Sequence, residues 1–222
     1  MKSSIKDAVS EFLGTAFLLT IIVGSGIMAE QLSQGNVALA LLANSLATGA
    51  GLIVLILTFG NISGAHFNPV VSTVERIRGK ISKETFALYL PAQVLGALLG
   101  VAMAHLMFEK EIFSYSEHIR SGSSQIISEF IATFGLIAVI RGVGRKHQNE
   151  VPYAVGLYIT SAYWFTSSTS FANPAVTLAR AMTSTFTGIR FSDVLPFVIA
   201  QITGALVAEF LFRYFEDPVT KN

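Results

Sequence analysis

The sequence contains no cysteine among its 222 residues. Disulfide bonds, thiolate chemistry and cysteine-based metal sites are therefore excluded. Charge is also scarce, because Asp, Glu, Lys and Arg make up only 13% of the chain, against about 25% in a soluble globular domain. The formal net charge is +1, so there is no basic surface that would indicate nucleic-acid binding.

The chain also lacks the residue patterns of enzyme active sites. We find no nucleophile and base set, no metal-ligand spacing and no phosphate-binding loop, and the Ser-Gly and Gly-Asn pairs are turn signals rather than a G-x-G-x-x-G motif. The sequence therefore predicts a protein that is not an enzyme and holds no metal.

Apolar residues are abundant, at 52% of the chain with a mean hydropathy of +0.59. A soluble protein of this composition would expose large apolar patches. A bilayer core of about 30 Å needs roughly 20 mainly apolar residues per helix. Six stretches satisfy this and predict an all-α membrane protein with spans near 8–29, 37–59, 84–107, 124–144, 152–170 and 194–214.

Two further segments, 60–76 and 167–180, are too apolar for solvated loops and too short to cross a bilayer. Segments of about 10 to 14 apolar residues are better interpreted as re-entrant. Each contains an Asn-Pro pair, Asn68-Pro69 and Asn173-Pro174. Because Asn favours the N-cap and Pro the first helical position, each pair predicts the start of a short half-helix inside the membrane.

The positive charges predict an orientation. Six spans place both termini on one side, and eleven of the fifteen Lys and Arg residues fall on that side, Lys221 among them. Both termini are therefore predicted to be cytoplasmic, and the short termini suit a microbial inner-membrane protein. The remaining four basic residues fall on the opposite side: Lys110, Arg120, Arg180 and Arg190.

Three short patterns occur twice in the same order, which indicates an internal repeat. Each half, about 1–108 and 122–222 of one transmembrane channel domain, holds three spans. An odd number of spans turns the second half upside down, which predicts an inverted 3+3 repeat whose re-entrant segments meet at the midplane. The paired patterns are SEFLGT at 10–15 with SEFIAT at 128–133, FNPVVS at 67–72 with ANPAVT at 172–177, and QVLGAL at 93–98 with QITGAL at 201–206.

Such an arrangement predicts a pore. Two half-helix N-termini that point at the membrane centre each carry about half a positive charge and together repel cations, including hydronium. The amides of Asn68 and Asn173 can donate hydrogen bonds to a neutral molecule that passes between them. The sequence thus predicts a passive channel for small uncharged solutes.

At these residues the sequence resembles the aquaporin and aquaglyceroporin family, the major intrinsic proteins, over nearly the whole chain. Residues 63–69, SGAHFNP, look very like that family's first box, and Asn173, Pro174 and Ala175 look like its second. Val70 departs from the alanine that the family usually has in the first box. The resemblance implies an aquaporin-like fold in the lipid bilayer, a homotetramer with one pore in each subunit, and no cofactor.

The resemblance also implies roles for three residues outside the boxes. Glu11 and Glu129 match family glutamates that accept hydrogen bonds from the re-entrant backbone and brace the half-helices. This fits the rule that a carboxylate inside a membrane needs a partner. His66 matches a position that packs beside the first box.

The family's narrowest point usually holds an aromatic residue, a residue from a second-half helix, a small loop residue and an arginine three positions after the second Asn. Here that last position is Val176. Tyr163 is the alternative for the helix position, and Arg180, almost two helical turns after the second Asn, is expected not to reach the same point. Family spacing gives the predicted filter as Thr48, Ser161, Ser170 and Val176.

This small, uncharged ring predicts a pore wider than that of a strict water channel. The expected solutes, besides water, are glycerol-like polyols, urea-like molecules and undissociated metalloid acids such as arsenite in its neutral form. Proton exclusion is expected to depend mainly on the half-helix dipoles. A mainly water-conducting aquaporin is the first alternative. A secondary transporter with inverted repeats is a more distant one, because only His66 stands out as a titratable group near the midplane.

Overall fold

The computed structural model describes residues 2–216, and every regular element in that range is helical. Lys221, which contributed to the predicted charge bias, lies outside the described residues. A short 3-10 helix, Gln148–Glu150, precedes the sixth α-helix. The α-helices are α1 (Lys2–Leu32), α2 (Val37–Ser63), α3 (Pro69–Ile77), α4 (Lys83–Met107), α5 (Ser123–Gly144), α6 (Val151–Phe165), α7 (Pro174–Arg180) and α8 (Phe191–Glu216).

Five of these helices, α1, α2, α4, α5 and α8, are long and apolar enough to cross a membrane. Helix α6 corresponds to the fifth predicted span but has only 15 residues, so the predicted span 152–170 was too long at its C-terminal end. It ends at Phe165 because Thr166 adopts extended backbone, with φ −110° and ψ 139°, and the chain turns into the second re-entrant segment. The predicted six spans and two half-helices are otherwise confirmed.

The helix packing follows the predicted repeat. Helix α1 packs against α2 and α4, and α5 packs correspondingly against α6 and α8, while α2 meets α6 between the halves. The half-helix α3 contacts α4 of its own half and α8 of the other, and α7 contacts α8 and α4. Each half-helix is therefore enclosed by long helices from both halves. By chain order, the loops after α3 and α5 lie at the end that carries the termini, and the loops after α4 and α7 lie at the opposite end.

Two glycines at equivalent repeat positions allow the long helices to cross closely. A Cβ atom added at Gly96 of α4 would lie 2.3 Å from the carbonyl oxygen of Phe12 in α1. A Cβ atom added at Gly204 of α8 would lie 2.4 Å from the carbonyl oxygen of Phe130 in α5. Only glycine fits at either crossing, because the obstacle is backbone, and small residues are the usual means of such close approach in membranes.

Replacing Gly96 by alanine should therefore destabilise the protein by about 1–3 kcal/mol, the usual cost of overpacking a filled site. The measurement is the thermal unfolding midpoint of the detergent-solubilised protein. Gly60→Ala in α2 is the matched control, since a Cβ atom there meets no atom of the described residues within 4 Å. Equal midpoints for Gly96→Ala and the wild type would show that the crossing is not tight.

Candidate functional site

A cavity of about 1200 Å³ extends through the centre of the helices. At the end that carries the termini, its wall includes Arg78, Lys80 and Gln148. Asn68 and Asn173, from the two Asn-Pro boxes, both line it. The wall nearer the opposite end includes Thr48, Tyr163, Ser170, Phe171, Val176 and Arg180.

Both half-helices begin at the Asn-Pro boxes. The side-chain oxygen of Asn68 accepts a hydrogen bond from the backbone N–H of Val70 at 3.0 Å, which caps α3. The side-chain oxygen of Asn173 accepts from the N–H groups of Ala175 and Val176, at 2.9 and 3.3 Å, which caps α7. Proline follows each Asn at the first helical position, where its missing N–H leaves no hydrogen bond unmade.

The two boxes are joined to each other by a reciprocal pair of hydrogen bonds. The side-chain amide of Asn68 donates to the carbonyl oxygen of Ala172 at 2.8 Å. The amide of Asn173 donates to the carbonyl oxygen of Phe67, also at 2.8 Å. Each Asn therefore caps its own half-helix with its oxygen and holds the opposite loop with its nitrogen.

The extended segments that lead into the boxes are strained. Non-glycine residues at positive φ cost about 1–3 kcal/mol each and persist only where surrounding contacts hold them. Five such residues occur in these two segments: Ala65 (φ 50°), Phe67 (49°), Thr169 (62°), Ser170 (51°) and Ala172 (48°).

Glu11 holds the first segment. Its side chain is fully buried, and its two oxygens accept hydrogen bonds from the backbone N–H groups of His66 at 2.9 Å and Phe67 at 2.6 Å. Gln93 of α4 donates to the same carboxylate at 2.8 Å and to the hydroxyl of Ser72 in α3 at 2.9 Å. The carboxylate thus receives donors from the strained backbone and from a neighbouring long helix.

Glu129 holds the second segment in the same way. It is also fully buried, and it accepts from the backbone N–H groups of Phe171 at 2.8 Å and Ala172 at 2.9 Å. Gln201 of α8 donates to it at 2.6 Å and to the hydroxyl of Thr177 in α7 at 2.8 Å. The contacts of Glu11 are therefore repeated at the equivalent positions of the second half.

His66 lies beside the first box and contributes to the cavity wall. Its Nδ1 lies 3.0 Å from the hydroxyl of Ser72, and its ring meets the ring of Tyr89 edge-on at 5.4 Å between centroids. These contacts fix the imidazole against α3 and α4.

Three of the four predicted filter residues, Thr48, Ser170 and Val176, line the same cavity. Ser161 does not: it is exposed, and its hydroxyl donates to the carbonyl oxygen of Tyr158 in its own helix at 2.8 Å. That prediction was wrong. Tyr163, the alternative, is buried on the cavity wall and donates from its hydroxyl to Thr48 at 3.3 Å.

The expectation that Arg180 cannot reach this part of the pore was also wrong. Arg180 lines the cavity together with Val176, because residues four positions apart lie on the same face of a helix. Its guanidinium carbon lies 3.4 Å from the ring centroid of Phe171. Its Nε donates to the carbonyl oxygen of Thr187, in the loop that follows α7.

Arg120 is a second buried arginine at this end, and no pattern in the sequence distinguished it from an ordinary loop residue. It is 8% exposed and donates to the carbonyl oxygens of Gly188 at 2.8 Å and Ser168 at 3.1 Å. Its guanidinium carbon lies 5.0 Å from the ring centroid of Phe171. Burial lowers the pKa of Arg120 to about 10, so it stays charged at neutral pH.

A sequence model of the family described as "Major intrinsic protein" matches residues 1–166 and 144–222. The chain belongs to the major intrinsic protein family. It is 52% identical over 213 residues to the aquaglyceroporin AqpS of Rhizobium meliloti (strain 1021), a match that covers 96% of this chain and 91% of the relative. It is 30% identical over 219 residues to a probable NIP-type aquaporin of Nicotiana alata, covering 94% of this chain and 77% of the relative.

The fold is shared with a solved member of the group. The X-ray structure of the aquaglyceroporin from Plasmodium falciparum superposes with a TM-score of 0.73 at 21% identity, covering 98% of this chain and 97% of that one. The family match, together with five helices long and apolar enough to cross a membrane, identifies this major intrinsic protein as an integral, multi-pass membrane channel.

The glutamate contacts generate a prediction for this major intrinsic protein. In Glu11→Gln an oxygen acceptor becomes an N–H donor, which leaves a donor of the first segment without a partner. Each buried donor without a hydrogen bond should lower the stability of the protein by about 1–3 kcal/mol. The thermal unfolding midpoint in detergent should fall for Glu11→Gln and equally for Glu129→Gln.

Glu30→Gln, at an exposed position near the end of α1, is the matched control and should leave the midpoint unchanged. A midpoint for Glu11→Gln equal to that of Glu30→Gln would contradict the bracing role.

Proposed function

We propose that this major intrinsic protein is a passive channel for small uncharged solutes: glycerol-like polyols and undissociated metalloid acids such as arsenite, together with water. The observation that carries this proposal is the filter position three residues after Asn173. It holds Val176, whose small side chain lines the cavity beside Thr48 and Ser170.

The groups at the middle of the cavity favour an uncharged solute. The amide nitrogens of Asn68 and Asn173 each have two hydrogens, and one of these is bonded to the opposite loop. The second hydrogen of each amide can therefore serve a solute oxygen. A cation there would face two half-helix N-termini, each worth about half a positive charge.

The wall toward the opposite end combines polar and apolar groups. Tyr163, Thr48 and Ser170 supply hydroxyl groups, whereas Val176 and Phe171 supply apolar surface. Within residues 2–216 the buried Ser170 hydroxyl has no hydrogen-bond partner, so a solute hydroxyl can form a hydrogen bond with it. A polyol, with hydroxyl groups along one side of a carbon chain and C–H groups along the other, complements such a wall.

The wider setting supports the same proposal. The relative at 52% identity is named an aquaglyceroporin. The outer surface carries large exposed apolar residues, including Leu95, Leu157 and Leu195, which suits lipid or a neighbouring subunit. We infer a homotetramer in the cell (inner) membrane, and the predominance of Lys and Arg at the end that carries the termini supports a cytoplasmic location for both.

Stopped-flow measurements on proteoliposomes test the proposed solutes. The protein should speed the entry of water, glycerol and arsenite relative to protein-free vesicles, because the wall offers both space and hydrogen-bond partners. Accelerated water flux with glycerol excluded would contradict the proposal and identify a mainly water-conducting aquaporin.

Replacing Val176 by arginine tests the filter position. A long cationic side chain should fill the space that Val176 leaves and reduce glycerol permeability relative to water by about tenfold or more, the factor given by roughly 1.4 kcal/mol of barrier. Val176→Thr keeps the volume and is the matched control. An unchanged glycerol-to-water ratio in Val176→Arg would show that residue 176 does not set the width.

A further inference from the structure

Arg180 is a buried charge that has no ion-pair partner in the part of the chain that the structure describes. It is only 2% exposed, whereas Arg141, a buried arginine at the end that carries the termini, is ion-paired with Glu209 and Glu216. Within residues 2–216, no carboxylate forms an ion pair with the guanidinium of Arg180 or Arg120. A buried charge is normally paired, because burial removes its hydration.

The contacts that Arg180 does make hold its position without cancelling its charge. The guanidinium lies against the face of Phe171 and donates to the Thr187 carbonyl. A ring face and a carbonyl oxygen are uncharged partners. Glu129 acts electrostatically on Arg180, but its oxygens already accept hydrogen bonds from backbone N–H groups and from Gln201.

Arg120 adds a second positive charge behind the first. It lies near the same Phe171 ring but does not line the cavity, and its donors are directed at loop carbonyls. Two like charges in a medium of low dielectric repel one another. The fold tolerates this repulsion between Arg120 and Arg180 at the end of the cavity where Val176 lies.

We propose that Arg180 is the charge-selecting residue of this end of the pore, where it supplies, one helical turn beyond Val176, the positive charge that position 176 lacks. Arg120 is a positioning residue that fixes the loop and Phe171 behind it. This inference rests on the proposed channel function. It assigns the width of the pore to residue 176 and its charge selection to residue 180. A wide pore can then still repel cations. From the sequence, this repulsion was expected to come mainly from the half-helix dipoles.

Urea and guanidinium test this inference because they have nearly the same planar shape and differ in charge. Their uptake into proteoliposomes is measured by stopped flow, with potassium and valinomycin to balance charge. The wild type should pass urea and exclude guanidinium. Arg180→Gln should raise the guanidinium-to-urea permeability ratio by about tenfold or more, the factor for roughly 1.4 kcal/mol of barrier, whereas Arg180→Lys should keep the wild-type ratio.

Arg190→Gln is the matched control, since Arg190 is an arginine at the same end that lies outside the cavity and is paired with Asp193. It should leave the ratio unchanged. If Arg180→Gln passes urea and keeps the wild-type guanidinium-to-urea permeability ratio, the inference is overturned and the channel function stays intact. A wild type that passes neither urea nor glycerol would instead overturn the proposed function, and the inference with it.

A second variant covers the case in which Arg180→Gln does not fold. Val176→Asp places a carboxylate four residues before Arg180 on the same helix face, where the two side chains can pair. The added carboxylate should neutralise the guanidinium, so the guanidinium-to-urea ratio should rise. An unchanged ratio in Val176→Asp would overturn the inference.

Discussion

The bond between a buried carboxylate and a strained backbone is the interaction on which the pore depends. Glu11 and Glu129 each accept two backbone N–H groups from a re-entrant segment whose non-glycine residues adopt positive φ. Without these carboxylates the segments would have backbone N–H groups without acceptors inside the membrane, where no water can take the place of the carboxylates. With them, the reciprocal bonds of Asn68 and Asn173 can join the two halves at the centre.

The buried arginines at the two ends of the cavity have different partners, although the two halves have the same framework. At the end that carries the termini, Arg141 is neutralised by Glu209 and Glu216. At the opposite end, Arg180 and Arg120 are held by carbonyl groups and a shared aromatic ring. The framework is duplicated, whereas Arg120, Arg141 and Arg180 lie outside the repeated patterns.

The sequence predicted the framework well, because lipid dictates the span length and the repeated patterns contain the residues that brace the loops. The sequence predicted poorly which way side chains point around a helix and how far they extend into the cavity. Counting along α6 chose Ser161 over Tyr163, and an error of two residues turns a side chain by about 200° around the helix axis. The fifth span, 152–170, was drawn too long because α6 ends where Thr166 adopts extended backbone, at the start of the hydroxyl-rich stretch 166–170. Arg180 was misplaced because only its distance from Asn173 along the helix was counted. Its place four residues after Val176 puts both side chains on one face of α7, and contacts with Phe171 and Thr187 hold it there.

The rate of glycerol entry into proteoliposomes, measured as the glycerol gradient rises, tests most directly the claim that this protein is a passive pore. A passive pore predicts a rate that increases in proportion to the gradient and is the same with and without a sodium or proton gradient. A transporter that alternates between two faces binds its solute once per cycle. A rate that saturates, or that follows an ion gradient, would contradict the claim.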